Sequence, residues 1–140
     1  MKNQETIAEK CKNPLNIRYA SQNDWRGQVG VHKGFCVFEN EAYGFRAAFI
    51  ILGNYIKKGH NTIREIINRW APPSENNTDA YVEFVCEETI IDPDFELTDE
   101  TIHDYWTKIM IIRAMARMES GKWYDEQSIN LMINYPEKYA

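Results

Sequence analysis

The sequence predicts an α+β fold that is mostly α: a small antiparallel sheet near the N-terminus, followed by about five helices around a long central helix. Three observations carry this expectation. Apolar residues alternate in short pieces between positions 13 and 38, the apolar spacing becomes helical from Asn40 onward, and residues 98–120 hold one long helical stripe.

Leu15, Ile17 and Tyr19 alternate with Asn16 and Arg18, and Phe35 and Val37 flank Cys36, which predicts two or three strands joined by a glycine-containing loop. Ala47, Ile50, Ile51 and Tyr55 then follow helical spacing, and Lys57-Lys58-Gly59 supplies the basic residues and glycine of a helix end. Thr62 and Glu65 form a capping-box pattern ahead of Ile63, Ile66, Ile67 and Trp70, which share one helix face. Pro72-Pro73 ends that helix, because proline lacks the N–H and clashes with the preceding turn.

Asn77 or Thr78 caps a third helix bearing Tyr81, Val82 and Val85. Thr98 is expected to cap the longest helix, with Ile102, Tyr105, Trp106, Ile109, Ile112 and Ala116 on its buried face. A final short helix, capped by Asp125, carries Ile129, Met132 and Ile133 and should end before Pro136. No internal repeat or linker interrupts the sequence, so a single domain over residues 1–140 is expected, with helices over 98–135 forming its C-terminal part.

Composition narrows the function classes. With 44% hydrophobic and 13% aromatic residues, the 140-residue chain can fill one core or line a sugar-binding groove. A net charge of −5 with dispersed basic residues argues against nucleic acid and anionic membrane surfaces as partners. The longest apolar run, AAFIILG, is too short to span a bilayer, so no membrane insertion is expected. Cys11, Cys36 and Cys86 are widely spaced and odd in number, which points to reduced, buried thiols. His32, His60 and His103 show no metal-binding spacing, no serine sits in a nucleophile elbow, and no glycine-rich phosphate loop is present. No metal or cofactor is therefore expected. The first residues lack an apolar signal-peptide core. The expectation is synthesis in a bacterial cytoplasm, followed by association with a virion or release to the periplasm or cell wall by another component.

Three segments, NPLNIR (13–18), GFCVFENEAYGFRA (34–47) and NTIREIINRWAPPSENNTDAYVEFV (61–85), resemble a family of phage and prophage proteins known as virion structural proteins. The RWAPPSENNT block is the most specific part of the match, which spans residues 12–90. The resemblance implies a phage or prophage origin and other virion proteins as partners. The same segments resemble more weakly the lysozyme-like peptidoglycan hydrolases of the glucosaminidase and lytic transglycosylase type, which implies a lysozyme-like domain and peptidoglycan glycan strands as the partner. In those enzymes the catalytic glutamate precedes the sheet, at the end of a helix reading roughly Ala-x-x-x-x-Glu-Ser-Gly-Trp. Here too few residues precede Asn13 for that helix, and a similar string, AMARMESGKW, lies at positions 114–123. A circular permutation would reconcile the two orders.

Cleaving a glycosidic bond needs a carboxylic acid that keeps its proton until it reaches the leaving oxygen, often with a second carboxylate. Glu119 continues the stripe of Trp106, Ile109, Ile112 and Ala116, so it should point inward, where burial raises an acid's pKa. The ordinary alternative is a frayed helix end with Gly121 as C-cap and Glu119 in solvent. Glu75 is the candidate second carboxylate; its ordinary use, like that of Glu39 and Glu41, is as an anion at a helix N-terminus. Arg18, Arg46 and Arg69 could bind carboxylates or form structural salt bridges. Trp25, Tyr19 and Tyr43 could stack on sugars or pack in the core, and Asn76 is a further candidate substrate contact. The leading expectation is a peptidoglycan-associated protein acting on the glycan strand as a glycosidase or lytic transglycosylase. Its competitor is a non-catalytic virion structural or cell-wall-binding protein that retains the fold.

Overall fold

A computed structural model describes residues 5–139. It opens with a single helical turn, α1 (Ile7–Lys10), which the periodicity did not announce and which is capped by the Thr6 hydroxyl. Two strands follow, β1 (Gln28–His32) and β2 (Phe35–Phe38), paired antiparallel with His32 opposite Phe35. The turn between them places Lys33 at φ +50° and Gly34 at +85°, the left-handed pair that a tight hairpin requires. A register shift between Gln28 and Gly30 bends β1.

The third strand that Leu15, Ile17 and Tyr19 suggested reduces to an isolated bridge between Arg18 and Phe35. The physical reason lies in the asparagines of NPLNIR. Asn16 takes φ +51°, so the segment turns instead of extending. Asn13, fully buried, holds that turn with its side-chain amide. Its Oδ1 accepts from the Ile17 N–H at 2.9 Å, and its Nδ2 donates to the carbonyls of Ile17 and Cys36, each at 3.0 Å. The loop is thereby fastened to itself and to β2.

The remaining elements are helices: α2 (Glu41–Lys57), α3 (Ile63–Trp70), α4 (Thr78–Thr89), α5 (Ile102–Ser120) and α6 (Glu126–Tyr139). Thr62 and Asn77 cap α3 and α4 through side-chain oxygens, as their sequence positions suggested, and Asn40 caps α2 in the same way. The start of α5 falls later than Thr98. Thr101 is the N-cap and forms a reciprocal capping box with Asp104, while the Thr98 hydroxyl donates to Asp104 Oδ2 at 2.8 Å. Ile102, expected on the buried face, is therefore in the first turn and 74% exposed.

The helix α5 runs for 19 residues, about 28 Å at 1.5 Å per residue, and its C-terminal half is surrounded by the core. Ile109, Ile111, Ile112, Ala114, Met115 and Ala116 are all buried and pack with Leu15, Phe38, Phe45, Leu52 and Ile66. Gly44 lets α2 approach the NPLNIR loop, since a Cβ there would stand 2.9 Å from Pro14 Cδ and 3.1 Å from the Lys12 carbonyl oxygen. The α5–α2 interface also contains a buried cation. Lys108 Nζ pairs with Asp99 Oδ1 at 2.5 Å and lies 4.0 Å from the centre of the Phe49 ring. The final helix continues through Pro136 to Tyr139, beyond the expected stop. A proline removes one ladder hydrogen bond, and the packing of Ile129, Met132 and Ile133 upstream outweighs that loss.

Removing the buried clasp should be costly. Asn13→Ala removes the partner of the Ile17 N–H and the side-chain donor to the Cys36 carbonyl, while the Ile17 carbonyl keeps the Cys36 N–H at 3.0 Å, so unfolding free energy measured by urea titration should fall by about 3 kcal/mol. A loss below about 1 kcal/mol, within the range of a net-neutral hydrogen bond, would show that the turn is held by packing instead.

Candidate functional site

Glu119 is the penultimate residue of α5, and Gly121 caps that helix in the left-handed conformation at φ +78°. The glycine cap anticipated by the ordinary alternative is present, but Glu119 faces the NPLNIR loop and not solvent. Asn16 Nδ2 donates to Glu119 Oε1 at 2.9 Å and to the Glu119 backbone carbonyl at 3.1 Å. The second contact fixes the amide orientation, because a carbonyl only accepts. From α4, Tyr81 Oη donates to Glu119 Oε2 at 2.9 Å.

These surroundings set the acid's chemistry. Burial raises the Glu119 pKa, and the hydrogen bonds from Asn16 and Tyr81 and the charge of Arg18 oppose it without cancelling it. Burial and the adjacent Glu119 push the Tyr81 hydroxyl well above its ordinary value, so Tyr81 remains neutral. Asn16 Nδ2 can only donate, whereas a tyrosine hydroxyl both donates and accepts. A proton on the carboxyl is therefore accommodated on Oε2, with Tyr81 turning to accept it.

The other expected residues separate into two groups. Arg18 Nη2 binds Glu75 Oε2 at 3.1 Å, and the Arg18 guanidinium lies 4.9 Å from the centre of the Phe35 ring. Glu75 thus reaches the site only through Arg18, in an exposed ion pair of small energetic weight. Arg18, Trp25 and Arg69 line an open cleft of about 380 Å³ together with Asn16, Tyr55 and Trp70. Trp70 donates its indole N–H to the Leu15 carbonyl at 3.0 Å, locking the cleft wall to the NPLNIR loop. Tyr43 lies outside this lining, with its ring against Gly27 and edge-on to Tyr135. Arg46 and Tyr19 also lie outside it, and Asn76 Nδ2 donates to the Pro72 carbonyl at 3.2 Å within its own turn.

Sequence reasoning did not identify Asn16 or Tyr81 as partners of Glu119. Asn16 read as the polar position of a strand and Tyr81 as a core residue; the one available signal was that both fall in segments carrying the family resemblance. Cys11 and Cys36 are free and buried, and burial raises both thiols. Among the described residues no group of three His, Cys, Asp or Glu side chains is placed to hold a metal ion, and no helix is long and apolar enough to cross a membrane.

No known protein-family profile matches the chain. A relative does: Protein P5 of Pseudoalteromonas phage PM2 is 38% identical over 122 residues, covering 81% of this chain and 72% of that protein. The chain belongs to the phage PM2 Protein P5 family. The phage kinship expected from the NPLNIR and RWAPPSENNT segments is thereby found, and the site of this P5-family protein is built mainly from those segments and the end of α5.

The raised acid gives a signed pH dependence. A carboxyl whose folded pKa lies above its unfolded value stabilises fully below the unfolded pKa, about 4.3, and that stabilisation is lost as pH rises through the folded value. Glu119→Gln removes the titration, and its amide oxygen can still accept from Asn16. The melting temperature of the variant relative to wild type should therefore rise between pH 4 and pH 7. A constant difference across that range would mean that Glu119 has an ordinary pKa in the folded protein.

Proposed function

We propose that this P5-family protein acts at the bacterial envelope, holding a peptidoglycan glycan strand in the cleft, with Glu119 as the general acid that cleaves it. The observation that carries the reading is Glu119 itself: a half-buried carboxyl with a raised pKa, oriented by Tyr81 and by Asn16, which also lines the aromatic cleft, while Glu119 lies behind that lining. In this reading the Glu119 proton passes to the glycosidic oxygen as the C–O bond breaks. The resulting carboxylate then takes a proton from the attacking water or from a hydroxyl of the sugar itself. Glu75 is clamped by Arg18, so its part is to help position Arg18 and the substrate, and the cation at the anomeric carbon is met by the substrate's own N-acetyl group. Support for a permuted, lysozyme-like arrangement comes from the helix-end glutamate of AMARMESGKW meeting the NPLNIR loop and Tyr81 of the family-matching 61–85 segment.

The second reading is a non-catalytic virion structural or cell-wall-binding protein, working with other virion proteins. Kinship with a phage protein supports it more directly than it supports catalysis. The fully hydrogen-bonded state of Glu119 also suits a structural tie between α5, α4 and the N-terminal loop.

Incubation with purified peptidoglycan separates the two. Wild type should release soluble glycan fragments, Glu119→Gln should lower the rate by roughly a hundredfold or more, and Glu75→Gln should lower it far less. Sedimentation with peptidoglycan but no turnover by wild type would establish the binding role in place of the catalytic one.

A further inference from the structure

The cleft lined by Asn16, whose side chain also binds Glu119, has a charge pattern at odds with the rest of the molecule. The chain carries 21 acidic residues against 16 basic ones, yet the lining includes Arg18, Lys58 and Arg69 and no Asp or Glu. Arg18 is engaged by Glu75. Lys58 closes α2 and is exposed, and Arg69, in the last turn of α3, lies 5.5 Å from the centre of the Tyr55 ring. Such stacking positions a guanidinium without using its N–H donors. Basic residues at helix C-termini are common because the dipole favours them. The dipole accounts for each position separately, but not for two helices delivering cations to one cleft that excludes acids.

The remaining lining fits a hydroxyl- and amide-rich ligand. Gln22, Asn23 and Asn54 supply donors and acceptors, and Trp25, Tyr55 and Trp70 supply apolar surface. Among the described residues, Trp25 Nε1 and Asn16 Oδ1, atoms of two lining residues, are buried without a hydrogen-bond partner. We propose that this cleft selects glycan that carries carboxylates, with Lys58 and Arg69 as the carboxylate receptors and the Trp25 and Tyr55 rings as the sugar platform. The proposal rests on the glycan-strand reading and adds to it the acidic substituent that the cleft recognises. Those carboxylates can belong to lactyl ethers on the sugar or to peptides hung from them. A polyphosphate fits less well, since the lining offers three cations dispersed among amide and aromatic side chains, not a continuous basic track.

Calorimetric titration of the full chain in the Glu119→Gln background tests recognition apart from turnover. The probes are a neutral N-acetylglucosamine tetramer, a tetramer alternating N-acetylglucosamine and N-acetylmuramic acid, the same tetramer bearing peptides, and a short oligothymidylate. At least one acid-bearing tetramer should bind roughly fivefold tighter than the neutral one, and the tighter of the two identifies the source of the carboxylate. The advantage should disappear in Lys58→Gln/Arg69→Gln and reverse in Lys58→Glu; both positions are exposed, so the fold is retained. Equal binding of all tetramers, unaffected by these substitutions, would overturn the proposal while leaving the glycan reading intact. Binding of no tetramer would overturn both, and preferential binding of oligothymidylate would reassign the cleft to nucleic acid.

Discussion

The arrangement of this molecule depends on a single buried amide. Asn13 uses both ends of its side chain on backbone groups, joining Ile17 to itself and to Cys36 of β2. Without that clasp the Pro14-Leu15-Asn16 turn has no reason to hold a left-handed residue at its apex. With it, Leu15 enters the core and offers its carbonyl to Trp70, while Asn16 faces the end of α5. Gly44 completes the arrangement by allowing α2 to lie against the same turn, where any side chain would meet Pro14. Buried backbone groups must find partners, and in this segment, which belongs to neither sheet nor helix, the Asn13 side chain shares that task with the Trp70 indole and the backbone of β2.

The acid illustrates how opposing effects are balanced. Burial favours the neutral carboxyl, while Asn16, Tyr81 and the charge of Arg18 favour the ionised one; burial prevails. The balance is possible because the nearest donors are uncharged and the nearest cation is shared with Glu75. A lysine or arginine bonded directly to Glu119 would have made it a permanent anion. The contrast within the same fold is Asp104, partly exposed and bonded first by the Glu100 N–H, then by Thr98 and Thr101, whose pKa is drawn down to about 2. Two carboxylates near opposite ends of α5 thus shift in opposite directions because burial dominates at one and hydrogen bonds at the other.

The parts of the fold legible in the sequence are those set by local rules. Caps at Thr62 and Asn77 were readable because the capping oxygen and the N–H it serves lie within a few residues of each other. The inward direction of Glu119 was readable from its place on the stripe of α5. What escaped depends on contacts across the chain or on competition between similar signals. Thr98 and Thr101 both resemble caps, and the choice falls to the one whose partner at the third helical position is Asp104. Leu15, Ile17 and Tyr19 alternate like a strand, but the Asn13 clasp imposes a turn. Asn16 and Tyr81 meet Glu119 across 103 and 38 positions of sequence, a distance over which no periodicity speaks.

That long separation also governs when the acid acquires its character. The 103-residue span between Asn16 and Glu119 must close before the carboxyl is buried, and such long-range closure is slow compared with forming the helix that carries it. In a half-formed chain, α5 can exist while Glu119 is an ordinary solvated anion with no unusual affinity for a proton. The reactive property therefore belongs to the assembled tertiary structure, and it doubles as a report on folding: an elevated Glu119 pKa, followed by the carboxyl's infrared or carbon-13 signal, marks the moment when the two distant segments have docked.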